Sequence, residues 1–327
     1  MASAWDSLRR RILTPPMSDT TLAKRGFYVK SDQSRQLLET IGEMFVTGYA
    51  FAAGARKTAQ AEEDLQTLPD QFRGFAYEGA GMGFAVRDGL PLGGRWVSQF
   101  LHGRGAEHEY MIYVGVGWAL ARIPRFRWAK ATSGVTDPVL RWLVLDGYGF
   151  HQAYFHTEKY VRRQYREPDF PWPPEGPAWY ADRAIDQGIG RATWFVCGSD
   201  PHRVADTLDA FPASRRPDLY SGAGLAATYA GGVDEAELRV FRQRARDYLP
   251  QVAQASAFAA AARVRTGLVT PHTIEATRVL CEATPEQAHR ICMDCFPRPS
   301  EGGEVPAFEL WRTRIADRLT SLQGTST

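Results

Sequence analysis

The side chains able to do acid, base or metal chemistry in this chain fall in a few short stretches. Glu78 stands inside the phrase Pro69-Asp-Gln-Phe-Arg-Gly-Phe-Ala-Tyr-Glu-Gly-Ala-Gly81, with Phe75, Met82 and Phe84 close in sequence. A charged carboxylate in such apolar surroundings is costly unless it is paired or placed for use. The structural account is an ion pair with Arg87 or with an Arg of another helix; the functional account is a carboxyl facing a cavity. Asp146 follows the apolar run Trp142-Leu-Val-Leu145 and precedes Gly-Tyr-Gly. Burial there raises its pKa and suits it to act as a general acid, whereas a structural Asp would bond an Arg or helix N–H groups. If Glu78 and Asp146 share a cavity, each pushes the other's titration away from its own.

His151 and His156 lie five residues apart on one expected helix, so they point to different faces. They lack the spacing of four that pairs histidines on a metal. One can face a cavity, and the other belongs to the surface or to a satisfied core position. Asp186 precedes Gly188 and Gly190 on a helix that also carries Arg191, and an internal salt bridge is the favoured account of it. Glu78, Asp146, His151, His156 and Asp186 form the candidate catalytic set. Cys281, His289, Cys292 and Cys295 have an order that zinc accepts. But residues 286–295 read as helix, and Cys is also a common small buried residue. The cluster is therefore read as structural. No phosphate-cradling Gly-Lys loop, nucleotide-binding glycine pattern after a strand, aspartate cluster or serine elbow is found, so no metal or cofactor is expected.

The elements that must hold these residues read as helices. The phrase ending Tyr77-Glu-Gly-Ala-Gly81 has an echo ending Tyr220-Ser-Gly-Ala-Gly224, at one offset (212 − 69 = 143) between Pro69 and Pro212. A Gly inside a helix costs about 1 kcal/mol relative to Ala, so each copy predicts a close helix–helix crossing. Leu37, Leu38, Ile41, Phe45 and Tyr49 form an apolar stripe at helical spacing. Further helices are expected over 107–122, 137–156, 251–264 and 307–322, and after Thr270-Pro271 and Thr284-Pro285. Almost nothing has the period of a strand. The fold class is all-α, two pseudo-repeated multi-helix halves forming one compact unit. Its divisions are a lead-in (1–33), a first half (34–164), a Pro-rich connector (165–178), a second half (179–300) and a C-terminal helix with tail (301–327).

The 327 residues are 44% hydrophobic and 12% aromatic, with a formal charge of +2. That balance gives no case for nucleic acid. No apolar run approaches the roughly 20 residues of a spanning helix. The N-terminus lacks the apolar core of a signal peptide, and the four Cys make no disulfide framework. The expected compartment is the cytoplasm.

Longer stretches carry a resemblance. They are Tyr110-Met-Ile-Tyr-Val-Gly-Val-Gly-Trp-Ala-Leu-Ala-Arg122, Leu140-Arg-Trp-Leu-Val-Leu-Asp-Gly-Tyr-Gly-Phe-His151, Phe155-His156, Asp186-Gln-Gly-Ile-Gly-Arg-Ala-Thr-Trp-Phe195, Leu219-Tyr-Ser-Gly-Ala-Gly-Leu225 and Tyr229-Ala-Gly-Gly232. With Arg25-Gly-Phe27 and Phe45-Val-Thr-Gly48, the chain resembles the UnbL-like family over about residues 8–300. That family is a domain of unknown function named from the warhead cassette of enediyne biosynthesis. There it accompanies an iterative polyketide synthase, a thioesterase and the UnbV- and UnbU-like proteins; it also occurs outside such clusters. The resemblance implies a protein of specialised metabolism, with a long apolar polyene-like intermediate as substrate and transient contact with other cassette proteins. The 9 Trp, 13 Tyr and 17 Phe are compatible with a deep apolar cavity. The leading expectation is a cofactor-independent isomerase or cyclase. The rivals are a non-catalytic polyene carrier or chaperone and an adaptor. Polar groups converging inside a cavity would favour the enzyme, and an exposed apolar patch the adaptor.

Overall fold

A computed structural model describes residues 16–172 and 176–324, and among them there is no strand. Seven helices carry the core: α1 (Asp32–Gly54), α2 (Asp70–Gly89), α3 (Glu109–Leu120), α4 (Leu143–Phe155), α5 (Trp179–Val196), α6 (Arg216–Tyr229) and α7 (Leu249–Arg265). Shorter helices join them, and a last long helix, α8 (Ala307–Gly324), follows two more over Pro271–Cys281 and Pro285–Asp294.

Local sequence explains the starts. Ser31 and Ser34 form a capping box at α1. Thr270 and Thr284 cap the helices that begin at Pro271 and Pro285, as the sequence predicts. Arg87 at the end of α2 donates to the carbonyls of Ala52 and Ala55 at the end of α1 (2.7 and 2.8 Å). Its neighbour Asp88 accepts the backbone N–H groups of Trp96 and Val97, which open the next helix.

The seven helices lie side by side in chain order. Each runs parallel to the next. Gly79 of α2 meets Phe45 of α1 and Gly83 meets Tyr49. Arg183 of α5 meets Asp218 of α6, and eleven residues further along α5 Trp194 meets Gly231. Parallel neighbours need a return segment between them, which is the place of the short joining helices.

Glycine sets the spacing. Five crossings have one reciprocal contact in common: Gly48 with Gly79, Gly81 with Gly115, Gly117 with Gly147, Gly149 with Gly188, and Gly190 with Gly222. In each pair, either glycine faces the backbone carbonyl of the residue three before its counterpart. A Cβ there would come 1.9 to 2.8 Å from the carbonyl oxygen, which no side chain permits. The helix propensity lost to Gly is offset by backbone contact of the kind small residues give in close helix pairs. At the end of the array Gly224 faces Val252 more loosely (3.1 Å), and Ala255 stands where the next glycine would.

Gly79–Gly81 and Gly222–Gly224 are at helix crossings, as expected. The same Gly-x-Gly recurs at 115–117, 147–149 and 188–190 on the intervening helices. The repeat that the glycines mark is therefore one helix long, and it does not single out two halves.

The array curls on itself. Phe75 of α2 stacks edge-on against Tyr229 of α6 (5.0 Å between centroids), and Arg263 of α7 reaches the carbonyl of Gln71. The α8 helix closes the curl with Phe308, Trp311 and Ile315 buried, and one apolar core runs from Leu22 to Leu319.

Candidate functional site

The glycine register also places polar side chains. The residue just before the Gly-x-Gly pair is Glu78 on α2, Asp146 on α4, Gln187 on α5 and Ser221 on α6; Gln254 takes that place on α7. All five are buried. On neighbouring helices they touch: the Gln187 amide donates to Asp146 Oδ2 (2.8 Å), and Ser221 meets Gln254 (3.4 Å).

Arg191, one turn beyond Gln187, joins the first group. Its Nη1 lies 2.9 Å from Asp146 Oδ1 and its Nη2 3.4 Å from Glu78 Oε1. The Trp118 indole N–H of α3 donates to the same Glu78 oxygen at 3.0 Å. The relative exposure is 3% for Glu78, 1% for Asp146 and 6% for Arg191. Burial raises the Glu78 pKa from 4.5 to about 7; Arg191 pulls it down and the Asp146 charge pushes it up. Burial also raises Asp146, against the pull of Arg191. Two carboxyls share one guanidinium here. With Asp146 ionised, a proton on Glu78 makes the set neutral.

Glu78 and Arg191 line a cavity between α1, α2, α3, α4, α5 and α6. Its walls are mostly carbon, including Ile41, Phe45, Met82, Trp118, Phe150 and Phe195. Its empty space is about 890 Å³ with the mouth included, and it is narrow. Such a slot suits a thin apolar chain; the acidic and basic side chains along it are Glu78, Arg191, Asp19 and Arg122. Asp146 does not line the slot and acts on it through Arg191.

The expected ion pair of Glu78 is therefore made to another helix, and Arg87 is engaged elsewhere. His151 is buried against Trp118 and Phe155, with its Nδ1 unpartnered among the described residues. Burial lowers its pKa to about 3, so the ring is neutral. It does not line the cavity. His156 is exposed at the end of α4. Asp186 does form a salt bridge, to Arg215 (Nε, 3.0 Å) and Arg166 (2.8 Å) and not to Arg191 of its own helix. Among the described residues no three His, Cys, Asp or Glu converge to hold a metal. Cys281 donates to the Thr277 carbonyl and Cys292 is fully buried.

Sequence reasoning missed Arg191 as the hub, Trp118 as a donor and Gln187 as the second partner of Asp146. Gln187 directly precedes its Gly-x-Gly, and Trp118 and Arg191 each directly follow one, so the motif with both its flanks, read on all the helices together, is the signal that finds them. A second buried network was also missed. There Arg312 of α8 meets Asp218 (2.8 Å), Glu309 (3.2 Å) and the Tyr180 hydroxyl (3.1 Å).

An all-helical array with a buried acid beside an apolar slot is the class that fold and site define. The chain belongs to the family described as "Protein of unknown function (DUF1702)", which it matches over residues 4–319. No curated protein and no solved structure matches it. Among the described residues no helix is long and apolar enough to cross a membrane.

Proposed function

We propose that the protein takes a long apolar, polyene-like chain into the slot and shifts its double bonds by proton transfer at Glu78. The observation that carries this is a buried carboxyl with a pKa of about 7 facing an apolar cavity. A group titrating near neutrality can both give and take a proton. In the step, the Glu78 carboxyl adds its proton to one end of the conjugated system. A proton from a carbon further along then returns to the same carboxylate. One C–H bond forms, one breaks, and the double bonds move with no co-reactant. Capture of the delocalised cation by a second double bond before the return gives a ring instead. The faces of Trp118 and Phe45 beside the slot favour a delocalised positive charge, while those of Phe150 and Tyr229 already carry the Arg191 and Arg263 guanidinium groups. Arg191 is already matched by Asp146, so it holds Glu78 in place without fixing it as the anion. The resemblance to the UnbL-like family supports the polyene as substrate and antibiotic polyketide biosynthesis as setting.

The test is to incubate the protein with a conjugated polyene and follow absorbance and mass together. A new absorbance spectrum at unchanged mass supports the reading, and Glu78→Gln abolishes it while binding persists. A polyene that binds and is recovered unaltered makes the protein a carrier and removes the catalytic role of Glu78.

A further inference from the structure

A second cavity, more polar than the slot and with about 1260 Å³ of empty space including its mouth, lies beside it. Ile41, Phe75, Tyr229 and Ala230 line both. Phe75 and Tyr229, in edge-on contact, thus form part of the wall between them.

Arg263 lines the polar side of that wall. It is 2% exposed, and its guanidinium lies over the Tyr229 ring at 4.0 Å. Two of its five N–H groups donate, to the carbonyls of Gln71 and Tyr229 (both 2.9 Å). Its Nε is buried with no partner, and no carboxylate lies within ion-pair distance of it among the described residues. The other charges of this cavity are already matched. Lys30 is bound to Glu237 at 2.7 Å, and Asp234 accepts the backbone N–H of Glu237 as the cap of the helix Glu235–Arg244. His272 gives its ring to the Ala227 carbonyl (2.8 Å). A buried guanidinium without a counter-ion is costly, and an anion beside it recovers that cost.

From this geometry we propose that the polar cavity is a subsite for a carboxylate carried by one end of the chain, with Arg263 as its counter-ion. The carboxylate sits against Arg263, and the apolar tail passes between Phe75 and Tyr229 into the slot. Turning the Phe75 ring joins the two cavities. The substrate class is then a linear polyene carboxylate, held at its charged end so that one stretch of double bonds stands beside Glu78. This rests on the reading of the slot as a chain-binding site.

The experiment compares three fluorescent probes on the whole protein, at a pH where carboxylic acids are ionised: cis-parinaric acid, its methyl ester and the uncharged polyene diphenylhexatriene. The acid should bind roughly tenfold or more tightly than the ester, the size of a charge-assisted hydrogen-bonded pair. Arg263→Met should remove that preference and leave diphenylhexatriene binding unchanged, while Arg263→Lys keeps part of it. Equal affinity of the native protein for acid and ester overturns the subsite and leaves the slot standing, and needs no variant to fold. Failure of all three probes to bind overturns the slot and the subsite with it.

Discussion

Replacing Glu78 by Gln removes a titration that the fold itself must feel. In the folded chain the carboxyl titrates near 7, against an ordinary 4.5. That difference links protonation to folding by about 3 kcal/mol. The residue is buried, so solvent screening does not reduce the figure. Because the folded value is the higher one, the unfolded chain gives up this proton first as pH rises. The contribution is full below about pH 4.5, is lost between there and pH 7, and is level above. Burial raises Asp146 in the same direction; both proteins carry it, so their difference reports Glu78 together with its coupling to Asp146. Urea unfolding of the native protein and of Glu78→Gln at several pH values between 4 and 8 measures this. The native protein should lose about 3 kcal/mol more across that interval than the variant. Parallel curves would show that Glu78 titrates as an ordinary carboxylate, and the argument for it as a proton donor at neutral pH would fall with them.

The glycine contacts predict that Gly117→Ala, Gly147→Ala and Gly222→Ala each destabilise by on the order of 1–3 kcal/mol or more, because the new Cβ meets a carbonyl oxygen. Thermal melts check it, with Gly303→Ala, which meets nothing within 4 Å, as control. If Gly222→Ala destabilises while Gly117→Ala and Gly147→Ala do not, the repeat is of halves and not of single helices. Asp186→Asn leaves Arg215 buried without its counter-ion and should cost about 3–5 kcal/mol. Polyene turnover by the folded fraction should stay as in the native protein, since Asp186 does not line the slot.

Much of the fold was legible because its signals are local. Thr270-Pro271, Thr284-Pro285 and the stripe of α1 fix helix starts and faces within a few residues. The glycines announced close crossings, but their meaning needed all the helices at once. Reading only the strongest echo, Gly79–Gly81 with Gly222–Gly224, suggested two halves where the contacts recur helix by helix. The candidate acids were legible as carboxylates in apolar text. Their partners were not, since Arg191 lies 113 residues from Glu78 and 45 from Asp146 (191 − 78 and 191 − 146), and only the glycine register common to all the helices links them. His156 carried a spacing argument but no burial signal, and it stands in solvent at the end of α4.

The register that builds the fold is also what couples the two carboxyls. Glu78 and Asp146 hold the same place before their glycines on α2 and α4, two helices apart in the array. Val114 takes that place on α3 between them, so no polar side chain intervenes there. Arg191 reaches both from α5 because its helix continues the curl. The Asp146 charge therefore acts on Glu78 in two ways. It repels the Glu78 anion, and it competes for the guanidinium that would stabilise it. Asp146→Asn ends both effects and keeps an oxygen to accept the Gln187 amide. Glu78 should then titrate below 7. The stability loss with rising pH moves to lower pH, and turnover that needs protonated Glu78 falls off at lower pH than in the native protein. An unchanged pH profile in Asp146→Asn, with the protein folded, would mean that Arg191 serves Glu78 alone and that the shared cation is not what sets its proton affinity.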